Sequence, residues 1–521
     1  MNPVPETLGV RYFRSRNTGK RITNGKYRIN KDTLVFHLPA VSGRSWVVRK
    51  SVQPVLAALI IFGWLGACWY KAPPARYVWT YDAPVYLSIA YDIEHFDRIT
   101  NGTAWGTPSV DPTRPPGMER TPLYPIFLAA TAELDPVFNR TLNCLVQNAA
   151  APACPQQAPL PRGLQFLMTV AFYLMLWRIA IRVTGSLRIG WLSLGVGLIA
   201  APFMIQSIDS LMTETLSLFF TTIAMLAAVE VFKGGRPLGW ALLSGAMVGL
   251  AALTRPPFVY LLPAVAIVVF PLIVRGSQRR RGTAALAGFL FAGVCVMTPW
   301  IVRNAVVLGH RTMTSDYAQL ALTQRVAYDE MNWRQYALFN LCSLPDGTGM
   351  GSLLVKPNMC SKFGYDGTPG GFYEIGSTTV LQSTAVAAGG TTNQVAYVLY
   401  HYVIRHPVWH AIVSIPMAMR GLWIDHYWGF VMAILCIPLT LRALRNFDAA
   451  MLAVTLPGWF MLAFYAALSA NQTRYNLMLI IPFSLAGGVT LERLLLKAVK
   501  DDIPRRIYSK FKTQAATHPA P

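Results

Sequence analysis

Ten apolar stretches of about 17–20 residues punctuate this 521-residue chain, near 53–70, 163–181, 189–205, 213–232, 238–253, 257–274, 284–301, 427–441, 450–468 and 476–492. A run of that length covers the roughly 30 Å of hydrocarbon in a bilayer and reads as a transmembrane helix. Composition agrees: 53% of residues are hydrophobic and only 13% charged, whereas soluble chains run nearer about 25% charged. The expected fold class is therefore an all-α polytopic membrane protein of about ten transmembrane helices, with two long hydrophilic loops.

The net charge of +22 invites a nucleic-acid partner, and its distribution argues against one. With the N-terminus inside, the segments assigned to the cytoplasm hold 29 of the 46 Lys and Arg but only 7 of the 24 acids. The whole excess then lies on that side, as the positive-inside rule requires. Basic tails of this kind are drawn to anionic lipid, so membrane lipid is the expected partner. Residues 1–50 are polar and basic with no early apolar core, so the first span is expected to serve as its own anchor.

These signs divide the chain into a basic cytoplasmic segment (1–50), a transmembrane module (51–301) with a hydrophilic loop at 71–162, a second loop (302–426), C-terminal transmembrane helices (427–492) and a basic tail (493–521). Both loops are rich in Trp, Tyr and Leu, which argues for structure. In the first, the apolar stretch from Pro122 to Ala130 is too short to span and reads as an interfacial or re-entrant helix. In the second, the Val408–Trp423 stretch is placed on the membrane surface, because inserting it would turn Arg442, Arg445 and the basic tail outward. Cys144 and Cys154 fall in the first loop and Cys342 and Cys360 in the second, while no cysteine is cytoplasmic. Two local disulfides in an oxidising compartment are expected, with four free thiols as the alternative.

The chemistry-bearing residues gather at the predicted outer ends of the spans. Asp82 begins an apolar, helix-compatible segment, Tyr81-Asp82-Ala83-Pro84-Val85-Tyr86, beyond the first span. Glu119-Arg120-Thr121-Pro122 follows in the same loop. Asp209 and Glu214 flank the outer start of one span, Arg255-Pro256-Pro257 ends another, and Pro299-Trp300-Ile301-Val302-Arg303-Asn304 and Arg474-Tyr475 mark two more. In order and spacing these motifs resemble the GT-C glycosyltransferases, in particular the branch of protein O-mannosyltransferases and lipid A aminoarabinose transferases. The resemblance covers about residues 50–490. It departs at the first site, where the aminoarabinose enzymes carry two adjacent acids and this chain has Ala83, and at the second, where Arg-Thr-Pro stands for Lys-Pro-Pro.

The resemblance implies a membrane enzyme of a bacterial plasma membrane that moves a monosaccharide from a polyprenyl-phosphate sugar donor to an acceptor on the non-cytoplasmic face. Asp82 then matches the catalytic base, with Glu119 and Glu214 as supporting acids and Arg120 as the lipid-phosphate contact. Elementary chemistry asks for the same groups: a carboxylate to take the acceptor proton and cations for the departing phosphate. Arg255, Arg303, Arg474 and neighbouring Tyr475 stand where the phosphate of a membrane-embedded lipid must lie, and a guanidinium grips phosphate in a fork. No cofactor is called for, the lipid-linked sugar being a substrate, and a divalent metal stays open.

Each residue also has a plainer reading. Outer-interface arginines snorkel to headgroups, Asp209 or Glu214 can cap a helix, and Glu119–Arg120 can be a local charge pair. His401, His406, His410 and His426 lack a paired carboxylate at metal-ligand spacing. The rival function is a transporter or lipid flippase, which calls for inverted repeats and ionisable residues at mid-depth; the spans here are nearly free of charge there.

Overall fold

The computed structural model describes residues 52–72, 82–103, 110–148, 153–275, 279–315, 317–344, 357–365 and 367–516. The basic N-terminal segment lies outside the described residues, as do Tyr81 and the last five residues of the tail. Among the described residues there is no strand, only an isolated bridge between Thr100 and Pro116.

Among the described residues, eight helices are long and apolar enough to cross a membrane: Gln53–Lys71, Pro159–Thr184, Thr213–Lys233, Pro237–Thr254, Arg279–Leu308, Tyr427–Arg445, Ala449–Leu468 and Thr473–Ala498. They match eight of the ten predicted stretches, and the protein is an all-α polytopic membrane protein. The remaining two stretches are broken by proline. The 189–205 stretch is a pair of helices, Leu187–Leu198 and Ala201–Asp209, bent by 54°. Pro202 lies in the first turn of the second piece, where its missing N–H is harmless but the preceding helix cannot run through. Two indoles meet the carbonyls at the break: Trp428 donates to Val196 (3.0 Å) and Trp64 to Leu198 (2.9 Å). The 257–274 stretch starts as a 3₁₀ turn, Pro256–Tyr260, and continues as Leu261–Arg275, shorter than a spanning helix.

Small residues bring helices together where apolar burial in lipid offers little drive. A Cβ at Gly245 would lie 1.9 Å from the Phe289 carbonyl oxygen, so Pro237–Thr254 and Arg279–Leu308 touch backbone to backbone.

The two hydrophilic segments fold as helical layers. In the first, Ala83–Phe96, Leu123–Leu134 and Pro136–Gln147 close on Leu87, Tyr124, Leu128, Phe138 and Leu142. Asp135 caps the third of these, accepting from the backbone N–H of Val137 (3.0 Å) and Phe138 (3.3 Å), and takes Leu160 N (3.0 Å) on its other oxygen. The stretch expected to be interfacial or re-entrant is the helix Leu123–Leu134, which buries Tyr124, Leu128 and Ala132 in this layer and leaves Ile126 and Leu134 exposed. In the second segment, Trp333–Cys342, Pro407–Leu422 and Phe372 pack on Tyr328, Phe339, Val413 and Met417, while Tyr317–Val326 sets Leu322 and Val326 against Val380 and Val398. Both expected disulfides are formed, Cys144–Cys154 and Cys342–Cys360.

Candidate functional site

Up-and-down traversal brings the helix ends at Thr213, Thr254 and Leu468 together beneath the two hydrophilic layers, around a cavity of about 1280 Å³. Its wall carries Asp82, Glu119, Arg120, Glu214, Arg255, Arg474 and Tyr475. Seven of the eight residues singled out from the sequence therefore share one cavity, although they span nearly 400 positions in the chain.

Asp82 occupies the position before the Ala83–Phe96 helix, and Pro84 in the first turn starts that helix where the chain needs no further donor. Its carboxylate makes no cap bond, so it is available to the cavity, where Arg474 Nη2 reaches it at 3.0 Å. Arg474 Nε lies 3.8 Å from Glu214, and Arg255 Nη1 pairs with the same Glu214 oxygen at 2.9 Å. Asp82, Arg474, Glu214 and Arg255 thus form one alternating chain of charge. Glu214 stands in the first turn of Thr213–Lys233, and its side chain is only 2% exposed. The Tyr475 ring lies under both guanidiniums, 4.7 Å from Arg255 and 5.4 Å from Arg474.

Arg120 enters from the first hydrophilic layer. Its guanidinium lies over Tyr317 at 4.4 Å and 3.7 Å from Glu119, and its buried Nε has no hydrogen-bond partner among the described residues. Burial works against its charge, but nearby Tyr86, Tyr317, Asp82 and Glu119 outweigh this and hold it firmly protonated. Burial likewise pushes the Tyr86 phenol up, so a neutral hydroxyl faces the cavity.

Arg303 is the residue that the structure does not bring to the cavity wall. It donates to the carbonyls of Gly117 (2.6 Å) and Ile99 (2.9 Å) and lies over Trp300 at 4.9 Å. It ties Ile99 and Gly117 together, and Asn101 accepts from Glu119 N at 2.9 Å. Its visible work is to hold Glu119 and Arg120 in register. Asp209 is also separate: its Oδ1 accepts from Trp69 (3.1 Å) and its carbonyl from Arg162 (2.9 Å). Of the two acids flanking that span, Glu214 is the one at the cavity. His410 is committed to protein partners, with Nδ1 at 2.6 Å from Asp329 and Nε2 at 2.9 Å from the Ala467 carbonyl. Among the described residues no group of three His, Cys, Asp or Glu gathers in a metal-binding arrangement.

Sequence reasoning missed the wall contributed by the second hydrophilic segment: Tyr317, Gln324, Tyr365, Tyr373 and Ser377. Burial pushes the Tyr365 phenol up to about 12, and it donates to the Asn471 carbonyl.

No family model and no curated protein matches the chain. Among solved structures it is similar to the oligosaccharyltransferase AglB from Archaeoglobus fulgidus, in complex with an inhibitory peptide and a dolichol-phosphate. That likeness has 12% identity, 90% of this chain, 55% of the other and a TM-score of 0.45. A second structure of the A. fulgidus oligosaccharyltransferase, with Zn and sulfate, matches at 12% identity over 89% of this chain and 51% of the other, TM-score 0.40. ArnT from Cupriavidus metallidurans, bound to undecaprenyl phosphate, matches at 14% identity over 85% and 78%, TM-score 0.34. The chain spans about half the length of the oligosaccharyltransferases it matches.

Proposed function

We propose that this protein is a membrane glycosyltransferase that moves a monosaccharide from a polyprenyl-phosphate donor to a hydroxyl on a glycolipid, polysaccharide or protein at the non-cytoplasmic face. The observation that carries this reading is the Asp82–Arg474–Glu214–Arg255 charge chain in a cavity at the helix ends, with Arg120 in the same wall. The cavity meets the spans where the phosphate of a lipid must sit. The non-cytoplasmic placement rests on the charge asymmetry of the sequence.

In this reaction Asp82 takes the acceptor's hydroxyl proton as that oxygen bonds to C1 of the sugar. The C1–O bond to phosphate breaks, and its electron pair departs on the lipid phosphate. Arg474, Arg255 and Arg120 receive the charge that develops there, a role suited to donors fixed in advance in a site partly closed to water. Glu214, held by Arg255, keeps the guanidiniums aligned. One base without a second carboxylate acting as nucleophile across the ring fits inversion at C1. The reaction as written needs no cofactor.

The test is sugar transfer from polyprenyl-phosphate donors by purified protein in nanodiscs. Asp82→Asn keeps the shape but cannot accept the proton, and turnover should fall roughly 10²–10⁴-fold with donor affinity little changed. Wild-type turnover by that variant refutes the base. A wild-type protein that carries lipid across vesicles without transferring sugar would favour the flippase.

A further inference from the structure

Part of the cavity wall takes no share in the reaction above, yet it is built with care. Gln324 is buried, its Nε2 donates to Ser377 Oγ at 2.9 Å, and Ser377 Oγ donates to the Tyr373 carbonyl at 2.8 Å. All three residues line the cavity. They are brought together by Gly376, where a Cβ would lie 2.5 Å from Gln324 Cα and 2.8 Å from the Thr323 carbonyl oxygen. Only glycine lets the 372–380 helical run sit this closely on Tyr317–Val326.

The next residue, Arg325, fixes the rotation of that helix. Its fully buried guanidinium pairs with Asp329 (2.8 Å) and donates to the Ala466 carbonyl (2.7 Å), the His410 carbonyl (3.0 Å) and Ser414 Oγ (2.9 Å). With Arg325 turned into protein, Gln324 beside it is held at the cavity. Burial pushes the Tyr373 phenol up, and Tyr317 and Asp82 push it further while Gln324 and Arg474 draw it back. The phenol is therefore a neutral hydroxyl within electrostatic reach of the groups assigned to base and phosphate.

The geometry points to a sugar-reading surface: Gln324 and Tyr373 hydrogen-bond hydroxyls of the donor's sugar ring and decide which monosaccharide is transferred. This rests on the glycosyltransferase reading above. The amide of Gln324 spends one N–H on Ser377 and a further bond joins it to the Tyr373 side chain, so amide and phenol present to the cavity one surface that donates and accepts. Sugar hydroxyls do both, so the pair can report their orientation. The ring is one bond from the phosphate, and Gln324 and Tyr373 share the cavity wall with Arg474, the residue assigned to that phosphate, so the donor's sugar is the ligand they are assigned to read. Buried polar groups shaped for a ligand hydroxyl discriminate strongly against a ligand that cannot supply it.

The experiment measures kcat/KM for polyprenyl-phosphate hexoses that differ by one epimeric centre and for a pentose, in wild type, Gln324→Ala and Tyr373→Phe. Binding of sugar-free polyprenyl phosphate is measured alongside. The ratio between the preferred donor and its epimer should fall by about 10-fold or more in each variant, with sugar-free lipid bound as in wild type. Equal loss on every donor, or a changed preference among acceptors with donor ratios intact, overturns the inference and leaves the glycosyltransferase reading standing. A wild type that binds polyprenyl phosphate but transfers none of the sugars removes both.

Discussion

Replacing Glu214 by Gln should tighten lipid-phosphate binding while weakening the fold. The cavity wall holds three carboxylates, Asp82, Glu119 and Glu214, against three guanidiniums, Arg120, Arg255 and Arg474. Glu214 touches two of the three cations, at 2.9 Å and 3.8 Å. A phosphate oxygen accepting from Arg474 would sit about 3 Å beyond it, roughly 6–7 Å from the Glu214 carboxylate. At an effective dielectric of about 20, two unit charges at that distance repel by about 2.6 kcal/mol. Water entering an open cavity of about 1280 Å³ lowers this to about 1–2 kcal/mol, or roughly 5–30-fold in Kd. The fold should respond in the opposite sense. Removing one partner of a buried pair costs about 3–5 kcal/mol, and here the lower end applies, because Arg474 keeps Asp82 and both cations keep the Tyr475 ring. The assays are equilibrium binding of polyprenyl phosphate in nanodiscs at low salt and the thermal midpoint of the same preparation. A folded Glu214→Gln protein with unchanged or weaker lipid affinity would refute the idea that the carboxylate competes with phosphate for these arginines.

Four further outcomes follow from the structure. Arg120→Ala should weaken donor binding as well as turnover, because a phosphate contact serves both the bound lipid and the leaving group; an effect on kcat alone contradicts that role. Arg325→Met should lower stability by about 3–5 kcal/mol, because Asp329 keeps only His410 and the Ala466 and His410 carbonyls lose their donor; an unchanged thermal midpoint contradicts this. Peptide mapping of unreduced protein should recover Cys144–Cys154 and Cys342–Cys360, and alkylation of all four without reductant would contradict both bridges. Reporter fusions after Arg281 and at the C-terminus should report cytoplasm and a fusion near Met350, outside the described residues, the other side; the reverse at Met350 moves every proposed site residue across the membrane.

Much of the site was legible because bilayers sort residues by depth. Arg255 and Arg474 stand at the ends of apolar runs, and alternating spans must return such ends to a common level, while Asp82 and Arg120 were found by their motifs in the first hydrophilic segment. What depth cannot tell is the partner of each charge. Arg303 has the same sequence setting as Arg255, yet its acceptors are the carbonyls of Ile99 and Gly117. Asp209 and Glu214 are five positions apart, but the left-handed backbone at Leu211 turns the chain between them, and Asp209 goes to Trp69. The wall of Tyr317, Gln324 and Tyr373 was invisible for another reason. It lies in a segment without a spanning period, and its orientation depends on Arg325 and Gly376, whose roles exist only once distant elements meet. The two proline-broken stretches carried their signal openly in Pro202 and in Pro256-Pro257, but a hydropathy window averages over a proline.

The bent span has a consequence for the order in which this protein is made. Leu187–Leu198 and Ala201–Asp209 leave the ribosome long before Trp428, whose indole meets the carbonyl of Val196. Trp64, which meets Leu198, is already present by then. For more than two hundred residues of synthesis the kink has only the Trp64 indole, and the Val196 carbonyl accepts from the backbone N–H of Ile199 alone, at a long 3.4 Å. The N-terminal half is thus a provisional structure, completed when Tyr427–Arg445 arrives. Chains that stop short of that helix would lack the Trp428 indole and keep only the long Ile199 bond at Val196, a weak point by which a quality-control protease could tell an unfinished copy from a finished one.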